Sequence, residues 1–310
     1  MHNDNEFMLF AGTSHPELSQ QIADAVGVQL GKIQIETFPD GEIGVHVLDN
    51  VRGRDVFLLQ SVARHPNLYL MELLILVDAM KRASARSIVA VLPYFGYARQ
   101  DRKGTTREPI TAKLVADLLE RAGVTRVLTM DLHTEQIQGF FNIPVDNLYA
   151  MPLLVEAIKK QGAVQCAVVT PDLGSIKLAR SFAEALKCDY AIVDKRRLSA
   201  KRVEMNALIG DVKDRDVWIV DDICSTGQTL EAAARVCKRA GARNVFAAVT
   251  HGIFSGEASE ESAIEKMFVS NTIPLPAEKR SRLEVISVAP LFAKAIDSIV
   301  GAKSISSLFN

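Results

Sequence analysis

"DVWIVDDICSTGQTLEAAARVCKRAG" (216–241) carries the pattern that sets the fold class. "DVWIV" reads as a strand and "DDICSTG" as the turn after it, while "QTLEAAARVCKRAG" has helical spacing and closes on Gly241. Strand, short turn and helix form a βα unit, and α/β proteins bind ligands at the carboxyl ends of their strands. Backbone amides at a helix start, with the hydroxyls of Ser225, Thr226 and Thr229, can surround a phosphate that the helix dipole also favours. Asp221 and Asp222 repel phosphate, but carboxylates accept hydrogen bonds from paired sugar hydroxyls or hold a hydrated Mg²⁺. A sugar phosphate meets both demands. No GK[ST] follows, so this is not a Walker loop.

Working outward, short apolar runs alternate with amphipathic segments of helical length along all 310 residues. The strand candidates are "FMLFAG", "KIQIETF", "DVFLLQ", "SIVAVLPY", "RVLTMDL", "CAVVTPD", "YAIVDK", "DVWIVDD", "NVFAAVTH" and "EVISVAP". Continuous Val, Ile and Leu with little alternation suits parallel strands covered by helices on both faces. Pro16 and Gly27 bracket one helix, and Pro109 opens another at "ITAKLVADLLERAG". The reading is α/β, with two similar domains meeting near "NIPVDNLYAMPLL" and no close sequence repeat between them. Two polar, basic stretches, "ARQDRKGTTREP" and "DKRRLSAKRVEM", are expected as excursions from the core.

Composition narrows the function classes. A formal net charge of -1 with 24% charged residues gives no basic excess of the kind that binds nucleic-acid backbones. Cys166, Cys188, Cys224 and Cys237 lack metal-ligand spacing, so reduced thiols in a cytoplasmic protein are expected. "MHNDNEF" does not read as a targeting peptide, and "LYLMELLILVDAM", which carries Glu72 and Asp78, is too short to span a bilayer. Neither secretion nor membrane insertion is expected.

The loop "VDDICSTGQT" resembles the phosphoribosyl-diphosphate-binding loop shared by type I phosphoribosyltransferases and the ribose-phosphate diphosphokinases, or PRPP synthetases. Further motifs separate the two: "FPDGE", "PYFGYARQDR", "MDLHTEQIQGFFNIPVDNLYA", "TPDLGS", "DKRR", "GDVKDR" and "THGIFSG" together are similar to PRPP synthetase over nearly the whole chain. The resemblance implies two phosphoribosyltransferase-like domains with mainly parallel central sheets flanked by helices. An ATP-binding domain would comprise 1–148 and the returning segment 290–310, and a ribose-5-phosphate-binding domain 149–289. It implies transfer of the β,γ-diphosphoryl group of Mg-ATP to the anomeric hydroxyl of ribose 5-phosphate, giving PRPP and AMP. Such a reaction brings a sugar oxygen up to a polyanion, so it needs Mg²⁺, cations and positioning more than covalent catalysis.

The same resemblance assigns residues. Taken alone, His133 after a strand reads as a hydrogen-bonded structural residue, and a basic run reads as solvated surface. The surrounding motifs reverse both readings. His133 and Asp172 would help hold the Mg²⁺ on the ATP phosphates, with His133 also at the nucleotide. Asp221, Asp222, Ser225, Thr226, Gly227 and Thr229 would form the ribose-5-phosphate cradle. Arg99 and Gln100 would face ATP, with aromatic Phe95 and Tyr97 nearby to suit a purine, and Phe38, Asp40 and Glu42 would reach adenine from a neighbouring subunit. Lys195 and Arg197, at the start of a loop that closes over the phosphates, would stabilise the transferring group. A homo-oligomer is therefore implied; a hexamer is the family's commonest assembly, and dimers and tetramers occur.

Ser225 stands where many members have aspartate, Ser175 where many have a second glycine, and Gly44 where phosphate-activated members have serine. The first two remove no metal ligand, whereas the third puts the family's allosteric site in doubt. Two other readings remain open: a phosphoribosyltransferase, and a non-catalytic regulatory subunit of a synthetase assembly. Trp218 is expected in the core, His251 has no assigned role, and Cys224 is expected to make the cradle sensitive to alkylation.

Overall fold

The computed structural model describes residues 7–162, 165–196, 205–256, 262–275 and 281–309. The chain divides into two units. The first holds the described residues up to Tyr149, Thr272–Pro274 and the segment from Ser287 onward; the second holds Ala150–Asn271 and Leu275–Ile286. Thr272–Pro274 belongs with the first unit, an assignment absent from the sequence reading. Its anchor is the Ser61 hydroxyl, which donates to the Thr272 carbonyl at 2.6 Å. The returning segment begins at Ser287 rather than 290, and the Ser287 hydroxyl donates to Gln21 at 3.0 Å.

In the first unit, β1 (Phe7–Ala11), β4 (Asp55–Leu59), β5 (Ser87–Leu92), β6 (Arg126–Met130) and β7 (Val145–Leu148) form a parallel sheet in that spatial order. Its strands neighbour one another in sequence order, and Leu30 adds a parallel bridge to Leu9 on the free edge of β1. A separate hairpin, β2 (Ile33–Thr37) and β3 (Ile43–Val47), packs Ile33, Ile35, Val45 and Val47 onto the core. Helices α1 (Pro16–Val26), α2 (Pro66–Arg82), α3 (Thr111–Ala122) and the terminal α7 (Ala289–Val300), which lies against α1, complete the layers. Pro16 opens α1 and left-handed Gly27 ends it, with the His15 imidazole capping the Leu18 amide. Glu72 is buried in the apolar-rich α2 yet is satisfied: Oε1 accepts from the Thr13 amide and Gln60 Nε2, both at 2.7 Å, and Oε2 from the Thr13 hydroxyl at 2.6 Å.

The second unit carries a seven-stranded sheet. Its order is β10 (Met205–Ile209), β9 (Asp189–Arg196), β8 (Cys166–Thr170), β11 (Asp216–Cys224), β12 (Asn244–Gly252), β13 (Lys266–Ser270) and β14 (Leu283–Ile286). Among the described residues of this sheet, only β9 and β10 pair antiparallel. The chain runs from β8 outward to β9 and then returns to β11 on the other side, which makes the β8/β11 boundary a topological switch point. Helices α4 (Met151–Lys160), α5 (Ile176–Leu186) and α6 (Gln228–Arg239) cover the sheet. Trp218 is buried as expected, stacked on Phe246 with centroids 4.7 Å apart and edge-on to Phe268 at 5.0 Å. Such aromatic pairs add about 1 kcal/mol each beyond their burial.

Three sequence expectations shift. β11 continues through the acid pair, because Asp221 pairs with Val249, Ile223 with His251 and Cys224 with Gly252; the turn starts at Ser225. β9 runs through Lys195 and Arg196, whose backbones face Asn206 and Met205 of β10, so this part of "DKRR" is strand rather than loop. An internal repeat also emerges at the amino ends of the strands. "RDVFLL" (54–59) with "KRASARS" (81–87) matches "RDVWIV" (215–220) with "KRAGARN" (238–244). In the first, Arg86 Nε donates to Asp55 at 2.8 Å, with its Nη2 on the other carboxylate oxygen, and the Ser87 hydroxyl adds a bond at 2.6 Å. In the second, Arg243 holds Asp216 through Nε at 2.9 Å and Nη2 at 2.7 Å, and Asn244 adds a bond at 2.9 Å.

Candidate active site

The cradle lies at the switch point. Asp172 follows β8, and its Oδ1 accepts from the amides of Gly174 at 2.8 Å and Ser175 at 3.2 Å, which folds "PDLGS" into a compact turn leading into α5. The Ser175 hydroxyl then donates to Asp221 Oδ1 at 2.9 Å, so the loops after β8 and β11 are tied together. Asp221 Oδ1 also accepts from the Asp222 amide at 3.0 Å. Burial, then the charge of Asp222, raises the Asp221 carboxyl to about 7; the Ser175 bond opposes this and Asp172 adds to it. Crowded acids of this kind are relieved by a cation or by sugar hydroxyl donors.

Beyond Cys224 the chain turns. Ser225 is half-buried and Thr226 exposed, left-handed Gly227 (φ 89°) caps α6 without a side-chain bond, and Thr229 sits in the first helical turn. The Thr226 hydroxyl reaches the Gln228 amide at 3.4 Å. The Glu231 amide is already bonded to the Gly227 carbonyl, so the first amides of α6 and the nearby hydroxyls are the groups placed to meet an anion.

A second loop braces this turn, and sequence reasoning assigned it no role. From "THGIFSG" after β12, the Ser255 amide donates to the Ser225 carbonyl at 2.8 Å and the Ile253 amide to the Cys224 carbonyl at 2.9 Å. Gly256 lies so close that a Cβ there would stand 2.7 Å from the Thr226 carbonyl oxygen. The quoted motif was the available signal, but its partner was legible only in space. His251 is buried within the β12 ladder. Cys224 is 2% exposed, so an open thiol does not underlie the expected alkylation sensitivity.

In the first unit, candidate residues gather at the carboxyl ends of the neighbouring strands β5 and β6. Arg99 and Gln100 are exposed after β5, with the Gln100 side chain accepting from the Thr111 hydroxyl at 2.5 Å at the start of α3. His133, half-buried, follows β6. Its neighbour Thr134 donates to the buried Asp101 carboxylate at 2.8 Å, which joins the two loops. Phe95 corrects the sequence reading: it is 2% exposed and packs edge-on against Phe141 at 5.9 Å, so it is core rather than a purine platform. Tyr97 is half-buried, with its hydroxyl on Asn67. Phe38, Asp40 and Glu42 occupy the exposed turn of the β2–β3 hairpin, where the Phe38 amide donates to the Glu42 carbonyl at 2.8 Å and the Glu42 amide to Asp40 at 3.1 Å.

Lys195 sits on β9, and Arg197 lies outside the described residues. His133 and Asp172 fall in different units, and no group of three metal-ligating side chains forms among the described residues. In the second unit, Asp172 and Asp221 offer hard oxygen donors of the kind Mg²⁺ takes, and the Asp221 carboxyl is raised by burial and then by the charge of Asp222. A cavity lined by Asp55, Arg126, Ile299 and Val300 opens at the amino ends of the first sheet, away from these residues. No helix among the described residues is long and apolar enough to cross a membrane.

Residues 7–123 match the family model described as the N-terminal domain of ribose phosphate pyrophosphokinase, and 197–310 that of the phosphoribosyl synthetase-associated domain. A ribose-phosphate pyrophosphokinase of Clostridium perfringens is 50% identical, over 99% of this chain and 98% of its own. One from Wolinella succinogenes is 50% identical, over 98% and 99%. The crystal structure of phosphoribosylpyrophosphate synthetase from Mycobacterium smegmatis superposes with a TM-score of 0.92 at 41% identity, covering 96% of this chain and all of that one.

Proposed function

The chain belongs to the ribose-phosphate pyrophosphokinase family, and from that membership we propose that it transfers the β,γ-diphosphoryl group of Mg-ATP to the anomeric hydroxyl of ribose 5-phosphate, giving PRPP and AMP. The observation that carries the reading is the cradle at the switch point: an acid pair on β11 beside a hydroxyl-lined helix start. Full-length relatedness to named synthetases disfavours the phosphoribosyltransferase and regulatory-subunit readings.

In this reading, the amides at the start of α6 and the hydroxyls of Ser225, Thr226 and Thr229 hold the 5-phosphate, and Asp221 and Asp222 accept from the ribose hydroxyls. Arg99, Gln100 and His133 take the nucleotide in the first unit. Lys195 and Arg197 stabilise charge on the transferring group, a preorganised electrostatic role. His133 and Asp172 would hold Mg²⁺, which when bound neutralises phosphate charge. Phe38, Asp40 and Glu42 would serve a neighbouring copy's adenine. Exposed apolar side chains on this unit, Phe38, Leu68, Met71 and Leu114 among them, support a homo-oligomer, with a hexamer as the favoured state. Unbridged cysteines suit the cytoplasm.

The test is an assay of Mg²⁺, ATP and ribose 5-phosphate, with and without inorganic phosphate, reading AMP and PRPP by chromatography. Equal yields of the two products are expected, with Lys195→Ala lowering kcat by about 10²–10³-fold at unchanged folding. A folded chain that binds Mg-ATP and makes no PRPP would overturn the reading.

A further inference from the structure

We propose that Cys166 and Cys188 form a reversible thiol–disulfide site in the second unit, closed by hydrogen peroxide. Cys166 is the first residue of β8. Helix α5 crosses over and ends on left-handed Lys187 (φ 56°), and the Cys188 amide, bonded to the Ala183 carbonyl at 3.0 Å, delivers the chain into β9. Ala167 and Asp189 are the first paired residues of the two parallel strands, so the cysteines stand side by side one position earlier. Neighbouring strands run about 4.8 Å apart. That spacing lies inside the Cα separation of about 4.4–6.8 Å that a disulfide spans.

Placed side by side by that register, the two thiols act on each other: the Cys188 thiol, helped by the Arg215 charge and opposed by burial, lowers the Cys166 thiol to about 7, whereas Cys188 is raised. Cys166 is buried and Cys188 half-buried, which suits a small oxidant over a bulky one. Cys237, by contrast, is fully buried and pushed up to about 12 by that burial.

The Cys166 thiolate attacks one peroxide oxygen, the O–O bond breaks, and the departing hydroxide takes a proton to leave as water, giving Cys166 sulfenic acid. Cys188, losing its proton, attacks that sulfur; the S–S bond forms as the S–O bond breaks, and a second water leaves. Two thiols thereby give up two electrons and two protons, and the peroxide accepts them. The site lies at the amino ends of β8 and β9, opposite the cradle.

The reduced full-length chain is exposed to hydrogen peroxide, remaining thiols are alkylated under denaturing conditions, and digests are read by mass spectrometry. The expected result is a peptide pair joined through Cys166 and Cys188, with both alkylation sites lost together and restored by dithiothreitol, while Cys237 still alkylates. In Cys188→Ser, Cys166 should stop at a dimedone-trappable sulfenic acid. Full alkylation of both thiols after peroxide, or separate oxidation of each with no joined peptide, overturns the proposal on the unaltered chain alone. These readouts do not depend on the catalytic reading.

Discussion

The two units share their amino-end construction and differ at the carboxyl ends of their strands. In both, an Arg-Asp-Val opens a strand, a Lys-Arg-Ala helix end turns through a left-handed residue, and an Arg clamps the Asp through two bonds. Even the flanking backbone bond repeats, Arg86 amide to Arg54 carbonyl at 2.8 Å and Arg243 amide to Arg215 carbonyl at 2.9 Å. At the other end, the second sheet reverses direction between β8 and β11 and crowds three acids and a helix start, while the first runs in sequence order and offers exposed Arg99 and Gln100 beside His133. One joint is used twice for stability, and the two units carry different side chains at the other end, where loops are free to vary.

The largest expected separation of the units comes from their loop braces. Gly256→Ala drives a Cβ into the Thr226 carbonyl and should lower kcat/KM for ribose 5-phosphate by about 10-fold or more, with the KM for ATP unmoved. Thr134→Val removes a donor from buried Asp101 and should show the reverse selectivity, a loss of about three- to ten-fold in kcat/KM for ATP. Steady-state kinetics with each substrate varied check both, and a loss shared equally by both substrates would break the division of labour.

A smaller effect tests the shared joint. The Arg86 and Arg243 guanidiniums hold Asp55 and Asp216 below the usual carboxylate range. A lowered carboxylate stabilises the fold above its unfolded value near 4, and that contribution is lost as pH falls through the folded value. Asp216→Asn and Asp55→Asn should each destabilise by about 1 kcal/mol at pH 7 and flatten the acid limb of the unfolding midpoint against pH. Unequal effects would mean that the repeat is one of sequence alone.

The smallest concerns the turn after the helix, where Ser84 (φ 66°) stands in one unit and Gly241 (φ 90°) in the other. Ser84→Gly should stabilise and Gly241→Ser destabilise, each by about 1 kcal/mol or less, read by denaturant unfolding.

Most of the strands given as candidates from "FMLFAG" to "EVISVAP" were legible because continuous apolar runs mark buried parallel strands; "KIQIETF" differs, alternating half-buried and exposed residues in an antiparallel hairpin. β3, β7, β10 and β13 were not, being short segments whose identity depends on the neighbour that supplies their hydrogen bonds. Phe95 shows the same limit from the other side: beside Arg99 in sequence it suits a purine, yet it packs on Phe141. A side chain's neighbours along the chain do not say which face it turns to.

By itself, the sequence determined the α/β class and the family, because these rest on local order: an apolar run, two acids, hydroxyls and a helix start. Only the tertiary structure decided that β11 runs on to Cys224, that Asp221 is raised by burial and Asp222, that Ser175 ties two loops to it, that Gly256 braces the turn, and that Cys166 stands beside Cys188. Each of those joins residues distant in sequence whose meeting is set by strand order and register, and neither can be read from local pattern.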